Sequence, residues 1–325
     1  MFHLDAVGPI WAGSYFPERR MASERRYKAA VLQAGPVIKD GIFDFDLTFD
    51  VVRRKVAQAA EQGAKLVVGA EALIGGYARA LGFVPGTPES KDVYRRYVEG
   101  AIEVPSPQTE RLAGLAKELG VYMVLGVIEK DKEACTLYCS ALFFDNEGQL
   151  VGKRRKLVPT DTERLVWGRG DGSTLPVIKS PFGSIGAAIC WENYMPLLRT
   201  ALYGKGVEVY CAPTLDDRDT WLPTCQHIAV EGRCWVLTAV QYFTEPGASA
   251  PLFKGGSAII SPFGKVVAGP LWGEEGVLVA DIDLDEVVRG KMDLDVVGHY
   301  NRPDIFTLTV NERPNKSVVI DSSVQ

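Results

Sequence analysis

Short apolar runs recur along this chain, and each is followed by a helical pattern or a tight turn. YKAAVLQ covers 27–33, LVVGA covers 66–70 and VYMVLGVI covers 121–128. SIGAAIC (184–190), VEVYC (207–211) and CWVLTAV (234–240) continue the series. A short run without polar alternation is what a strand covered on both faces requires. Helical stripes lie between these runs. Val52, Val56, Ala59 and Ala60 share a face over 46–62, and Gly63 ends that helix. Leu112, Leu115 and Leu119 form a second stripe, opened by Ser106-Pro107 as N-cap and first helical residue and closed by Gly120. Residues 196–203 and 221–232 read as further helices, and 276–282 as a further strand. LYCSALFF (137–144) faces QLVGKRRK (149–156) across a turn at 145–148. SPFG occurs twice, at 180–183 and 261–264, each time between apolar runs, a sign of two similar hairpins. Strands alternating with helices make this an α/β chain, and the hairpins make its sheets mixed rather than purely parallel.

No linker or low-complexity segment interrupts residues 27–310, which read as one domain. Residues 1–26 read as an N-terminal extension, disordered or packed on a neighbouring subunit, and 311–325 as a polar, mobile tail. No segment reads as a secretory signal. No apolar stretch approaches the roughly 20 residues of a membrane span. With 36 Lys and Arg against 41 Asp and Glu, the net charge of −5 gives no reason to expect nucleic acid or an acidic membrane as partner. Six cysteines lack the spacing of a disulfide framework or a CxxC metal site, and three histidines argue against zinc. A reducing cytoplasm is the expected setting, with no metal and no cofactor.

Chemistry concentrates at the ends of these runs. Cys190 stops an apolar run and is followed by WENYMP, which turns into a helix. A thiol between a strand's carboxyl end and a helix N-terminus meets unpaired N–H groups, which favour thiolate and can hold a developing anion. The competing reading is a small core residue at a strand end, since free cysteine is usually buried. Glu71 directly follows LVVGA, also at a carboxyl end, where α/β proteins build sites. Lys156 ends KRRK, which otherwise reads as a solvated basic face or a polyanion patch. In a strand, Arg154 and Lys156 share one face and Lys153 and Arg155 the other, so Lys156 can turn inward while its neighbours stay in water. Glu163 follows seven residues later. GRGDG (168–172) lacks the spacing of a nucleotide-binding loop and reads as an ordinary loop.

The segments AEALIGGY (70–77), GKRRKLVPTDTERLVWGRGDGST (152–174), GAAICWENYMPLLRTALYGKGVEVYCAPT (186–214) and DVVGHYNRPDIF (295–306) together resemble the nitrilase branch of the carbon–nitrogen hydrolase superfamily. The middle segments are most similar to plant-type nitrilases and their bacterial relatives. Ala70 departs from the pattern, which usually has proline there. The resemblance implies Cys190 as nucleophile, Glu71 as general base, Lys156 as the cation stabilising tetrahedral intermediates, and Glu163 as the second glutamate, orienting Lys156 or relaying protons. It places Tyr77, Trp167, Trp191, Glu192, Pro213 and Thr214 near the substrate, with Glu192 and Asn193 orienting the site or capping a helix. It implies a four-layer α-β-β-α sandwich whose subunits pair into α-β-β-α-α-β-β-α dimers and build larger spirals or filaments. The 216–221 loop and the chain after Asp295 are the expected interface segments. His299, Cys135, Cys139, Cys225 and Cys234 are expected to be structural. The implied activity is hydrolysis of an organic nitrile to acid and ammonia. The rivals are an amidase or nitrile-to-amide enzyme of the same superfamily, a non-catalytic filament-forming scaffold, and a nucleic-acid binder built on KRRK.

Overall fold

The computed structural model describes residues 25–78, 84, 86–315 and 318. The expected N-terminal extension lies outside the described residues except for Arg25 and Arg26, and so does the tail at 316–317 and 319–325. In chain order the strands are β1 (Arg26–Gln33), β2 (Ile38–Lys39), β3 (Ile42–Phe43), β4 (Ala64–Val68), β5 (Ile102–Glu103), β6 (Tyr122–Lys130), β7 (Leu137–Phe144) and β8 (Leu150–Arg155). The second half adds β9 (Val177–Ser180), β10 (Gly183–Ala187), β11 (Val209–Cys211), β12 (Trp235–Thr238), β13 (Tyr242–Phe243), β14 (Phe253–Ile260), β15 (Val266–Trp272) and β16 (Gly276–Asp283). The helices are α1 (Phe45–Glu61), α2 (Pro88–Gly100), α3 (Pro107–Leu119), α4 (Pro196–Gly204), α5 (Trp221–Gly232) and α6 (Asp285–Asp293).

Two seven-stranded sheets form the centre. The first runs β16-β1-β4-β6-β7-β8, with β5 beside β6. The second runs β13-β14-β12-β11-β10-β9, with β15 beside β14. Strands β1, β4 and β6 are parallel, as are β10, β11 and β12, and hairpins complete each sheet. Val52, Val56 and Ala59 of α1 and Leu112, Leu115 and Ala116 of α3 pack on the outer face of the first sheet. Leu198, Leu202, Cys225 and Ile228 of α4 and α5 cover the outer face of the second. Between the sheets, Val68, Val124 and Phe143 meet Ile185, Val209 and Leu237. These are the four expected layers, α-β-β-α.

Aromatic contacts bind the sheets together at one end. The Tyr27 ring lies 5.1 Å from that of Phe182, and its hydroxyl donates to the Phe182 carbonyl at 2.9 Å. Gln33 of β1 accepts from the N–H groups of Gly256 and Ser257 in β14 at 2.9 and 3.0 Å.

Local signals hold where they were strongest. Ser106 caps α3 with Pro107 at its start, and Gly120 ends it at φ +63°. SPFG forms the turn of two hairpins, β9–β10 and β14–β15. Other boundaries move. The run 66–70 ends as a strand at Val68, so Glu71 lies in a loop beyond Gly69 and Ala70 rather than directly after the strand. The run 184–190 ends as a strand at Ala187, and Cys190 opens a 3-10 turn over Cys190–Tyr194, one residue before Met195, which caps α4. Helices α2 and α6 are additional to the sequence expectation. Both are polar, and each buries little beyond Val93 and Tyr97 or Val287 and Gly290.

Candidate active site

The carboxyl ends of the parallel strands in both sheets open towards one another, and chemistry collects there. Glu71 follows β4, and Lys156 follows β8 with its N–H bonded to the Cys139 carbonyl of β7 at 2.8 Å. Glu163 sits in the 3-10 turn Asp161–Leu165. Cys190 follows β10, Thr214 follows β11, and Gln241 follows β12. The first sheet thus carries Glu71, Lys156 and Glu163, and the second carries Cys190.

All of these groups are buried. Lys156 Nζ donates to Glu71 Oε1 and to Glu163 Oε2, each at 2.7 Å. Glu163 Oε2 also accepts the Thr160 N–H at 2.6 Å, and its Oε1 accepts the Tyr77 hydroxyl at 3.0 Å. Glu71 Oε1 further receives the Cys139 thiol at 3.5 Å, while Glu71 Oε2 has no hydrogen-bond partner. The loop that presents Glu71 lies directly on β6. A Cβ at Gly126 would stand 2.1 Å from the Ala70 carbonyl oxygen and 2.7 Å from Glu71 Cα, so only glycine lets it pass. Gln241 reaches from the second sheet and donates to the Glu71 carbonyl at 2.7 Å.

Burial pushes the Glu71 carboxyl up to about 7, with Lys156 pulling down and Glu163 adding to the rise. Burial works against the Lys156 charge, but Glu71, Cys190 and Glu163 outweigh it and hold the ammonium well above the usual lysine range. The Cys190 thiol moves opposite to the sequence expectation. Burial and the Glu71 carboxylate push it well above the ordinary thiol range, while Lys156 and the Thr214 hydroxyl pull the other way. Its position explains the difference. Cys190 lies in a short 3-10 turn, before α4 begins, and its own N–H is bonded to the Pro213 carbonyl at 2.9 Å. Burial at this position thus favours the neutral thiol over the thiolate. Cys190 has φ +53°, a left-handed conformation that costs a side-chain-bearing residue about 1–3 kcal/mol and is typical of functional sites.

The remaining expected residues divide. Tyr77 and Trp167 line a cavity of about 270 Å³ with Asp161, Thr162, Glu163 and Val166. Their rings meet edge-on at 5.3 Å, and Lys156 Nζ lies 5.5 Å from the Trp167 ring. Thr214 is fully buried, and Pro213 offers its carbonyl to the elbow. Trp191 is 41% exposed, with its indole N–H on Asp216 at 3.0 Å and Arg218 stacked 4.4 Å above its ring. Glu192, expected near the substrate, does not line that cavity. Its Oε1 accepts Arg154 at 2.7 Å and the Leu157 N–H at 2.5 Å, and its Oε2 accepts the Ile189 N–H at 3.0 Å. That carboxylate fixes the backbone beside Lys156 and beside Cys190 at once. Asn193 donates to the Ala188 and Cys190 carbonyls and braces the same elbow.

The basic run behaves in part as alternation predicts. Lys156 turns inward, and Lys153 and Arg155 share Glu129 on the other face, at 2.6 and 2.5 Å. Arg154 is not in water but wholly buried against Glu192. Cys135 is exposed rather than part of the core, because it lies in the loop joining β6 to β7. GRGDG is a packed loop, with the Gly170 N–H bonded to the Lys156 carbonyl at 2.7 Å. The sequence reading missed Arg154, Gln241 and Cys139 as parts of the site. Only Arg154 carried a signal, its place on the Lys156 face of β8.

Among the described residues no group of three or more His, Cys, Asp and Glu has the arrangement of a metal site, and no helix is long and apolar enough to cross a membrane.

Residues 28–291 match the family described as carbon-nitrogen hydrolase. An aliphatic nitrilase of Sinorhizobium fredii is 49% identical over 312 residues, spanning 90% of this chain and 98% of that protein. A bifunctional nitrilase/nitrile hydratase of Lupinus angustifolius is 45% identical over 335 residues, spanning 96% and 94%. Among solved structures, Nit3 of Saccharomyces cerevisiae, a member of the nitrilase superfamily, superposes with a TM-score of 0.70 at 22% identity, over 86% of this chain and all of that one. The last likeness speaks for the fold alone.

Proposed function

Given that the chain belongs to the carbon–nitrogen hydrolase family, among its nitrilases, we propose that it hydrolyses an organic nitrile to a carboxylic acid and ammonia on Cys190. The observation that carries this reading is the Lys156 ammonium held at 2.7 Å by both Glu71 and Glu163, on the sheet opposite a buried thiol.

In the proposed mechanism, Glu71 takes the thiol proton as Cys190 Sγ bonds to the nitrile carbon, and the nitrogen is protonated to give a thioimidate. A carboxyl group near half ionisation at neutral pH suits both halves of that transfer. Water adds to the thioimidate carbon and yields its proton to Glu71. The tetrahedral species breaks its C–N bond, ammonia leaves, and a thioester remains. A second water releases the acid and restores the thiol. Lys156 and the Trp191 N–H stabilise the anionic intermediates, and Glu163 holds Lys156 in place. If the tetrahedral species breaks its C–S bond instead, the product is an amide, and the bifunctional lupin relative supports a mixed outcome. The cavity lined by Tyr77, Trp167, Asp161 and Glu163 has polar as well as apolar walls and suits a compact nitrile. Pairing of subunits fits the apolar side chains left exposed at Leu197, Ile305 and Phe306. A reducing cytoplasm fits six unpaired cysteines.

The test is ammonia release from a panel of nitriles and amides, with Cys190→Ala alongside. Release from nitriles that disappears in the variant is expected. Release from amides alone would move the chain to the amidases, and no release from a folded protein would overturn the proposed chemistry.

A further inference from the structure

Cys139 is a buried thiol that the mechanism above does not use, yet it touches both partners of the central ion pair. Its carbonyl accepts the Lys156 N–H at 2.8 Å, and its thiol reaches Glu71 Oε1 at 3.5 Å. It lies in β7 opposite Ile128 of β6, in the layer beneath the site, with 1% of its surface accessible.

The two oxygens of Glu71 are treated unequally. Oε1 receives Lys156 Nζ and the Cys139 thiol, whereas Oε2 is buried without a partner. Groups facing this carboxyl from the surrounding elements are Lys156 and Glu163 from the β8 side, Cys139 from β7, Cys190 from the elbow, Tyr77 from its own loop and Tyr97 from α2. Of these, Lys156 and Cys139 donate to Oε1. We propose that Cys139 is a positioning residue: its neutral S–H, with Lys156, immobilises Oε1 of Glu71 so that the bare Oε2 is the oxygen that exchanges protons at the reacting centre. Burial and the Glu71 charge push the Cys139 thiol well above its ordinary range, so it stays protonated and acts as a donor. A donor to a carboxylate favours the ionised form, so Cys139 also limits how far burial raises Glu71. The role depends on the Glu71–Cys190 reading, and the experiment is built to separate the two.

The variants are Cys139→Ser, which keeps a donor, and Cys139→Val and Cys139→Ala, which remove it at two different volumes. Two readouts are taken as functions of pH on the full chain: ammonia release from the best nitrile, and the rate at which iodoacetamide alkylates Cys190, located by peptide mass. In Val and Ala, kcat is expected to fall about three- to tenfold with KM little changed. The acid limb of both profiles should move to higher pH, while Ser stays within about twofold of the parent. Unchanged profiles in Val and Ala, or an equal loss in Ser and Val, would overturn the proposal. Alkylation needs no substrate. A Cys190 whose alkylation ignores pH in the parent protein would instead undo the Glu71–Cys190 reading itself.

Discussion

Arg154 and Glu192 meet at 2.7 Å with neither side chain reaching solvent, one at the end of the first sheet and the other in the elbow after a strand of the second. Because Glu192 also accepts the N–H groups of Leu157 and Ile189, the pair joins the residue after Lys156 to the residue before Cys190. Removing one partner leaves a buried, uncompensated charge, which costs about 3–5 kcal/mol. Glu192→Ala and Arg154→Ala should each lower the unfolding free energy by about that amount in denaturant titrations. The double variant should lose much less than the sum, and additive losses would show that the two side chains do not act as a pair.

Activity should follow the ionisation of Glu71. Since burial pushes this carboxyl up to about 7, kcat/KM should fall as pH drops below about 7, and a pH–rate profile reads this directly. The stability consequence has the opposite sense. Above the usual carboxylate range and below 7, the native site keeps a proton that the unfolded chain has released. The native state therefore binds more protons, and Glu71 subtracts stability as pH rises through that window. Denaturation of the parent and Glu71→Gln at pH 5 and pH 8 checks this, with the variant gaining relative to the parent at the higher pH.

Gly126 is required by the backbone that crosses it. In Gly126→Ala the new methyl group would press on the Ala70 carbonyl and Glu71 Cα, neither of which is a flexible side-chain end. A shift of about 1 Å in a catalytic group can cost about a hundredfold in rate. Ammonia release should fall by roughly that factor, with overpacking costing about 1–3 kcal/mol of stability. An active Gly126→Ala enzyme would mean that Glu71 tolerates displacement.

Gln241 supports Glu71 from the other sheet through a single 2.7 Å hydrogen bond to its carbonyl. Gln241→Leu leaves that buried carbonyl without a donor, at a cost of about 1–3 kcal/mol. The expected phenotype is a lower melting temperature together with a reduced kcat, and calorimetry beside steady-state kinetics would read both. A loss of stability with kcat unchanged would assign Gln241 to packing alone.

The gathering of Glu71, Lys156 and Glu163 was legible because each stands in a distinctive short context, and strand alternation even showed how Lys156 could face inward from KRRK. What was not legible depends on partners remote along the chain. Arg154 lies 38 residues from Glu192 and belongs to a basic run, so solvation was the natural reading until the fold closed over it. Gln241 and Cys139 carry no local mark, since their significance is contact with Glu71, which 170 and 68 residues separate from them. The thiol's titration could not be read either, because it depends on burial and on Glu71 from the opposite sheet. Helix α2 was missed for a more ordinary reason. Its face is polar, and only Thr87-Pro88, the same cap as Ser106-Pro107, announces it.

The aromatic seam of Tyr27 and Phe182 is far along the sandwich from Cys190, yet it belongs to the same interlayer. Cys190 follows a strand of one sheet and Glu71 and Lys156 follow strands of the other, so in the proposed mechanism the thickness of that interlayer sets the reaction distance. The core residues between the sheets act as a spacer gauge. A volume change among them is expected to alter the spacing between Cys190 and the Glu71–Lys156 pair. On the proposed mechanism, repacking the middle of the molecule would tune turnover, and applied pressure, which acts on internal voids, would read that gap from outside.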